Sequence, residues 1–184
     1  MAAGWRAALQ SSAWDGRWFK RAFFDDGTPL GSHANPEARI DLIAQAWAAL
    51  SDEAPRALQR IALAAVEEHL VDHEAGLIHL LDPPLAHALP SAGYIQAYAP
   101  GVRENGGQYS HAGVWALMAQ AAHAKTLVEP NAGADLAYHY FTYLSPAHRA
   151  RHPTRGAAYG IEPYVMAGDV YTQPPYVGRG GWSW

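Results

Sequence analysis

The sequence predicts an all-α protein made of helical hairpins joined by long loops. Apolar residues recur with a helical period in two pairs of segments, and short connections within each pair predict antiparallel hairpins. Between the pairs, from residue 72 to 108, this period disappears and Pro, Gly, Tyr and His become frequent. Loops of this length are usually functional in compact domains. We therefore expect a toroid or solenoid with ligand chemistry at its loop ends.

Composition excludes several classes of protein. The chain has 184 residues, of which 49% are hydrophobic and 16% charged, so it can bury a core and its bulk is not disordered. The net charge is −4 and the 13 Lys and Arg form no run, which argues against nucleic-acid and polybasic membrane surfaces. The absence of cysteine excludes disulfides, zinc–thiolate sites and cysteine nucleophiles. The 7 Trp and 10 Tyr indicate either aromatic core edges or a groove that stacks on sugar rings.

The first half of the chain contains three predicted helices. The chain opens in a helix with Trp5 and Leu9 on one face, and an aromatic short strand or extended run follows over 18–24. The next helix is expected after Asn35-Pro36-Glu37, an N-cap, first-position proline and acidic residue. Ser51-Asp52 is expected to cap a further helix that ends near Val71.

The second half contains another hairpin and a short final helix. Helical periodicity predicts helices over 109–125 and 134–144. After Ser145-Pro146 the pattern is irregular, and a last short helix is expected from Pro163 to about Tyr171. No linker divides the chain, so we expect 1–184 to form a single domain.

The segment 101–111 is the strongest candidate for a binding site. Gly106-Gly107 allows a tight turn and a close backbone approach to a ligand. The helix that follows offers free N–H groups, and His111 lies in its first turn in line with Trp115. This arrangement predicts a site for phosphate or a developing oxyanion. The alternative is a buried histidine that is hydrogen-bonded to a neighbouring loop.

A possible sugar site immediately precedes this helix. The Tyr94 and Tyr98 rings could stack on a pyranose while Arg103, Glu104 and Asn105 hydrogen-bond its hydroxyls. The alternative is a loop that packs its own rings. No metal site is expected, because the six-residue step from His73 to His79 differs from the i,i+4 spacing of a helical zinc motif.

Five stretches of the sequence give a family resemblance in order and spacing over nearly the whole chain. They lie at residues 14–32, 39–45, 100–111, 162–165 and 178–182, and include Pro-Gly-Val-Arg-Glu-Asn-Gly-Gly-Gln-Tyr-Ser-His, Glu-Pro-Tyr-Val and Gly-Arg-Gly-Gly-Trp. On these residues the chain resembles glycoside hydrolase family 94, formerly glycosyltransferase family 36, which contains inverting β-glucoside phosphorylases. The likeness within the family is strongest to the C-terminal phosphorylase domain of cyclic β-1,2-glucan synthases.

The resemblance implies a partial (α/α)6 barrel, with this chain as its later half, truncated at both ends. Family members cleave or form β-glucosidic bonds with phosphate as nucleophile and one aspartic acid as general acid. That acid belongs to an Asp-Trp-Asn-Asp motif, which is absent from the 184 residues. We therefore expect no catalytic residue in this chain and no activity from it alone.

The resemblance also assigns roles to individual residues. His111 would be a phosphate ligand, and Tyr98, Arg103 and Glu104 would line the acceptor-sugar side. Cellobiose-type members carry a glutamine shortly after Glu-Pro-Tyr, where this chain reads Met-Ala-Gly-Asp over 166–169. That departure favours the β-1,2-glucan branch.

The implied partners are a β-glucan oligosaccharide, inorganic phosphate as co-substrate, and the remaining parts of the parent domain. No cofactor, nucleic acid or membrane contact by this segment is expected. The implied location is cytoplasmic, with a parent that is either soluble or anchored in the bacterial inner membrane. The alternative function is a stand-alone helical carbohydrate-binding protein without catalysis.

Overall fold

Helices dominate the fold, as the sequence predicts. The computed structural model describes residues 2–125 and 130–183. Its helices are α1 (Ala2–Ala8), α2 (Leu42–Leu50), α3 (Arg56–Leu70), α4 (Tyr94–Ala97), α5 (Ser110–Ala124), α6 (Pro130–Leu144), α7 (Pro146–Arg151) and α8 (Arg155–Tyr159), and α1 continues as a π-helical turn over Leu9–Ala13. None of the helices in these two ranges has the length and apolar character needed to cross a bilayer.

Short antiparallel strands fasten the loops to one another. They are β1 (Ala22–Phe23), β2 (Pro29–Leu30), β3 (Ile40–Asp41), β4 (Val71–Asp72), β5 (Leu77–Ile78), β6 (Leu81–Asp82), β7 (Gln108–Tyr109), β8 (Asp169–Tyr171) and β9 (Gly178–Arg179). The first six form three two-stranded sheets, β1–β2, β3–β6 and β4–β5, and the last three form one sheet in the order β7–β8–β9. The long loops are therefore ordered by strand pairing. The sequence predicted a short strand or extended run only over 18–24, where β1 lies, and it did not predict the pairing of the other strands.

The α5 helix lies at the centre of the core. It packs against α6 and α2, and α2 packs against α3, so both predicted hairpins are present. Its buried face is made of small residues, among them Ala112, Gly113 and Ala116. A Cβ atom on Gly113 would lie 2.7 Å from Cδ2 of Leu144, so this glycine allows the close approach of α6.

The predicted start of the α2 helix is wrong. The helix begins at Leu42, and its N-cap is Asp41, whose carboxylate accepts hydrogen bonds from the N–H groups of Ile43 (2.8 Å) and Ala44 (3.3 Å). Asn35 instead closes a loop, since its side chain accepts from the Ser32 N–H and donates to the Pro29 carbonyl. The Asn-Pro-Glu pattern therefore marks a turn here, and strand β3 separates that turn from the helix.

Two other predicted boundaries also differ. Ser51 is the C-cap of α2, and α3 starts only at Arg56, because Asp52 adopts a left-handed backbone with φ +55° that no helix can continue. The helix predicted over 163–171 is wrong, since its last three residues form strand β8. Helices α7 and α8 occupy part of the region predicted to be irregular.

Asp41 gives the fold a pH-dependent stability. Burial raises the pKa of Asp41 to about 6, although the Arg21 guanidinium, with Nε 3.4 Å from Oδ2, and the two N–H donors oppose this shift. The carboxyl has a pKa of about 3.9 in the unfolded chain, so the folded state binds the proton more tightly. The resulting stabilisation is complete below about pH 4 and is lost as the pH rises through about 6, and it amounts to about 3 kcal/mol.

We expect Asp41→Asn to flatten this part of the pH profile while keeping the helix cap, because asparagine is an equally good N-cap. The measurement is the free energy of unfolding in urea at several pH values between about 4 and 7. Asp25→Asn, at an exposed turn position, is the matched control and should leave the profile unchanged. Equal slopes for Asp41→Asn and the unmodified chain would contradict the assignment.

Candidate functional site

The β7–β8–β9 sheet brings together three of the segments that carry the family resemblance. Tyr109 lies opposite Asp169, and Val170 lies opposite Arg179. Further backbone hydrogen bonds join Thr172 N–H to the Gly101 carbonyl (2.9 Å) and Gly168 N–H to the Trp182 carbonyl (2.8 Å). The loop over 100–107, the segment over 162–169 and the segment over 178–182 therefore form one surface.

The loop over 100–107 is held rigidly from within. The Asn105 side chain is fully buried, and its amide donates to the carbonyls of Leu85 and Tyr98, both at 2.8 Å, and accepts from the Leu85 N–H at 2.7 Å. Gly106 has φ +85°, and a Cβ on Gly107 would lie 2.6 Å from the Arg103 carbonyl oxygen. The predicted tight turn is confirmed, and the Asn105 amide is used to hold the loop.

Arg103 is the centre of a charged and aromatic cluster. Its backbone has φ +51°, a strained conformation for a residue with a side chain. The guanidinium carbon lies 5.2 Å from the Tyr98 ring centroid and 5.7 Å from that of Trp182. Its Nε is 3.8 Å from Oδ2 of Asp169 and 3.9 Å from Oε2 of Glu104. This cluster joins Tyr98, Arg103 and Glu104, which the sequence predicted, to Asp169 and Trp182, which it did not.

The two carboxylates of the cluster have free hydrogen-bonding capacity. Asp169 is only 1% exposed, and burial raises its pKa while the Arg103 charge opposes the rise. Within the described ranges, neither carboxylate oxygen of Asp169 accepts a hydrogen bond, and Oε2 of Glu104 also lacks a donor. Buried acceptors without donors are costly. Hydroxyl groups, such as those of a sugar, would supply the missing donors.

The carboxylate of Asp169 requires a glycine opposite it. A methyl group at Gly180 would overlap Oδ1 of Asp169, whereas a methyl group at Gly181 would meet nothing within 4 Å. We expect Gly180→Ala to lower the free energy of unfolding by about 1–3 kcal/mol, the usual cost of overpacking, and to displace Asp169. The matched control Gly181→Ala should be near neutral in the same urea denaturation. Equal effects of the two substitutions would contradict this packing.

His111 lies beside the cluster at the start of α5. Its ring is 4.6 Å from the Tyr109 ring and 4.6 Å from the Trp115 ring, centroid to centroid, and both contacts are edge-to-face. Burial lowers the pKa of His111, and the negative charge of Glu104 opposes this. The ring nitrogens make no hydrogen bond to any residue that the structure describes. The imidazole is therefore oriented by aromatic contacts, while its nitrogens remain available for a ligand.

The predicted aromatic pair is also in place. The Tyr94 and Tyr98 rings meet edge-to-face at 6.3 Å, with Tyr94 largely exposed and Tyr98 half-buried next to Arg103. The His73 ring does not join a metal cluster, because Nε2 lies 2.6 Å from Oε1 of Glu67 and Nδ1 lies 2.8 Å from the Tyr143 hydroxyl. In the two described ranges, no group of three or more His, Asp or Glu residues is placed to hold a metal ion.

The fold is a helical scaffold that carries a charged and aromatic cluster on its loops. The sequence comparisons assign its family. The chain belongs to the glycosyl hydrolase 94 superfamily, since residues 1–184 match its catalytic domain. The predicted family resemblance is therefore confirmed.

Three relatives match nearly the whole chain. It is 44% identical over 177 residues to the cyclic beta-(1,2)-glucan synthase NdvB of Rhizobium meliloti (strain 1021). This match covers 96% of the chain and 6% of that protein. It is 29% identical over 181 residues to solabiose phosphorylase of Paenibacillus borealis, and this match covers 97% of the chain and 22% of the relative. It is 28% identical over 178 residues to cellobionic acid phosphorylase of Neurospora crassa, and this match covers 96% of the chain and 20% of the relative. The chain thus spans less than a quarter of the length of each relative.

Proposed function

We propose that this segment supplies the phosphate-binding and acceptor-sugar-binding parts of an inverting β-glucan phosphorylase domain that acts on β-1,2-glucosidic bonds. The observation that carries the proposal is the juxtaposition of His111 with the Arg103, Glu104 and Asp169 cluster. The names of the relatives support it, because they comprise a cyclic β-1,2-glucan synthase and disaccharide phosphorylases.

His111 is the proposed phosphate ligand. Apart from the Ser110 N–H, which donates to the Gly168 carbonyl (2.9 Å), the first turn of α5 offers backbone N–H groups and a positive dipole end, and the imidazole provides an N–H donor beside them. Inorganic phosphate bound there would attack the anomeric carbon of the glucosidic bond that is cleaved. Because phosphate is already negatively charged, it needs no carboxylate base to activate it. The general acid that protonates the departing sugar would come from another part of the protein that contains this segment, because these 184 residues hold no Asp-Trp-Asn-Asp motif.

The Arg103 cluster is the proposed acceptor-sugar site. The Tyr98 and Trp182 rings provide apolar faces, the guanidinium donates hydrogen bonds, and Glu104 and Asp169 accept them. Asn105, whose amide is already satisfied by Leu85 and Tyr98, positions this loop instead of touching the sugar. Asp169 is an addition to the set that the sequence predicted.

The (α/α)6 barrel that the family resemblance implies would cover apolar side chains that the core helices expose. Trp47 on α2 is 46% exposed, Ile61 on α3 42%, Met118 on α5 49% and Phe141 on α6 45%. Where such residues form a contiguous patch, they mark a face that another surface covers. Further helices of the parent domain are the proposed cover, which makes that domain the main partner of this segment.

The proposal is tested by exchange into a relative. This segment would replace the matching 177 residues of the NdvB protein, and glucose 1-phosphate would be measured with phosphate and either sophorose or cellobiose. We expect release from the β-1,2-linked disaccharide and much less from the β-1,4-linked one. The unmodified relative is the control. A folded chimera that binds the disaccharide but releases no glucose 1-phosphate would instead favour a carbohydrate-binding protein without catalysis.

A further inference from the structure

Arg149 is a buried cation that has no carboxylate partner among the described residues. Its side chain is 3% exposed and lies 5.1 Å from the Tyr159 ring centroid. One terminal nitrogen, Nη2, donates to the carbonyls of Gly76 (3.2 Å) and Tyr143. The other, Nη1, is buried and has no acceptor among the residues that the structure describes. A buried charge and a free donor are both costly unless a ligand compensates them.

Arg149 lines a cavity of about 160 Å³ at the corner formed by α6, α7 and α8. Its other polar side chains come from Thr142, Tyr143, His148, His152 and Arg155, and no acidic residue of the described chain lines it. Burial lowers the pKa of Arg149 to about 10, and the nearby positive charge of Arg155 acts in the same direction. The cavity is therefore rich in donors and deficient in negative charge.

We propose that this cavity binds a phosphate-class oxyanion, held by the free Nη1 of Arg149 together with Nη1 of Arg155 and Nε2 of His152. The other Arg155 nitrogens, Nε and Nη2, donate to the carbonyls of His73 and Glu74, and Nδ1 of His152 accepts from the N–H groups of Thr154 and Arg155. Guanidinium groups form strong charge-assisted hydrogen bonds with phosphate oxygens. A tetrahedral oxyanion has enough acceptors for several donors, and the polar side chains that line this cavity come from α6, α7, α8 and His152. The site shares no residue with the His111 and Arg103 cluster, so it is a second anion site and does not depend on the function proposed above.

The cavity volume restricts the ligand to a small anion. A space of about 160 Å³ holds free phosphate or the phosphoryl end of a sugar phosphate, but it does not hold an oligosaccharide. Both ligands present the same oxyanion to Arg149. They are distinguished by titrating each one separately.

The test is calorimetric titration of the His111→Ala chain with inorganic phosphate at constant ionic strength, so that the His111 site is weakened in every sample and general salt screening stays the same. We expect saturable binding. Arg149→Gln in this background should weaken it about tenfold or more, the effect of losing a charge-assisted hydrogen bond. Arg151→Gln removes the same charge from an exposed position on the same helix and should leave the affinity unchanged.

A parallel titration with glucose 1-phosphate tests whether the site accepts a phosphoryl group that carries a sugar, since comparable binding shows that the sugar is tolerated and binding of inorganic phosphate alone shows that it is not. If Arg149→Gln fails to fold, Arg155→Gln replaces it, with the same weakening expected. Absence of saturable binding of either ligand, or equal effects at Arg149 and Arg151, would overturn the proposal. Either result would leave the proposed function untouched, because His111 is already replaced in every sample.

Discussion

The 184-residue chain by itself is expected to release no glucose 1-phosphate from β-1,2-gluco-oligosaccharides and phosphate. Proton donation to the departing oxygen by a positioned acid contributes about 10²–10⁴-fold to such reactions. The motif that carries this acid in the family is absent from these residues. The carboxylates of Asp169 and Glu104, beside the Arg103 guanidinium, are assigned to accept hydrogen bonds from the acceptor sugar, and neither is assigned to donate a proton to the departing oxygen.

The assay is enzymatic detection of glucose 1-phosphate over a long incubation with purified chain. The His111→Ala chain is the control for contaminating phosphorylase, because both preparations would contain the same contaminant. Release that depends on the unmodified chain and disappears in this control would contradict the expectation. It would mean that a general acid lies within these residues.

Replacement of His111 by alanine in the NdvB chimera is expected to raise the apparent KM for phosphate by about 10- to 150-fold. This is the cost of one charge-assisted hydrogen bond, about 1.5–3 kcal/mol, expressed as an affinity. The ring is held edge-to-face between Tyr109 and Trp115 and its nitrogens contact no described residue, so the loss should fall on the ligand. The measurement is the initial rate as a function of phosphate at saturating disaccharide.

His123→Ala is the matched control, since His123 is a second half-buried histidine at the opposite end of α5. It should leave the phosphate constant near that of the unmodified chimera. A phosphate constant that changes by less than about twofold in His111→Ala would identify His111 as a packing residue.

The helices of the core were predictable because their pattern is local. Apolar residues at helical spacing identified α5 and α6 to within a few residues, and the resulting hairpins are present. The start of α2 was not predictable in this way. Asn35-Pro36-Glu37 and Asp41 are both good helix-start signals, and the choice between them depends on the pairing of Ile40 and Asp41 with strand β6. That pairing joins residues too distant for a local pattern to show.

The C-terminal region was predicted least well for a related reason. Asp169–Tyr171 is too short for either a helical or an alternating period to be visible, and its strand conformation comes from its two neighbours in the sheet. Local signals for the missed helices did exist. Pro146 stands at the start of α7 and Gly160, with φ +58°, ends α8.

In the candidate site, too, local motifs were predictable and contacts between distant segments were not. His111 and the glycine turn before it were visible as a motif within one segment, and the structure places both as expected. Asp169 and Trp182 enter the site only across the β7–β8–β9 sheet, so no spacing rule pointed to them. Asn105 was predicted to contact sugar because of its residue type, but its amide is used by Leu85 and Tyr98. The residue type shows that a side chain can form hydrogen bonds, but only the fold determines which groups it bonds.

The central claim is that this surface binds phosphate through His111 and the acceptor sugar through Arg103. The most direct test is to measure both apparent KM values, for phosphate and for disaccharide, in the His111→Ala and Arg103→Ala chimeras. We expect a crossed pattern, in which His111→Ala raises the phosphate constant by about 10-fold or more and Arg103→Ala raises mainly the disaccharide constant. Parallel changes in both constants for both variants would contradict the claim, because they would show a loss of structure and not of separate contacts.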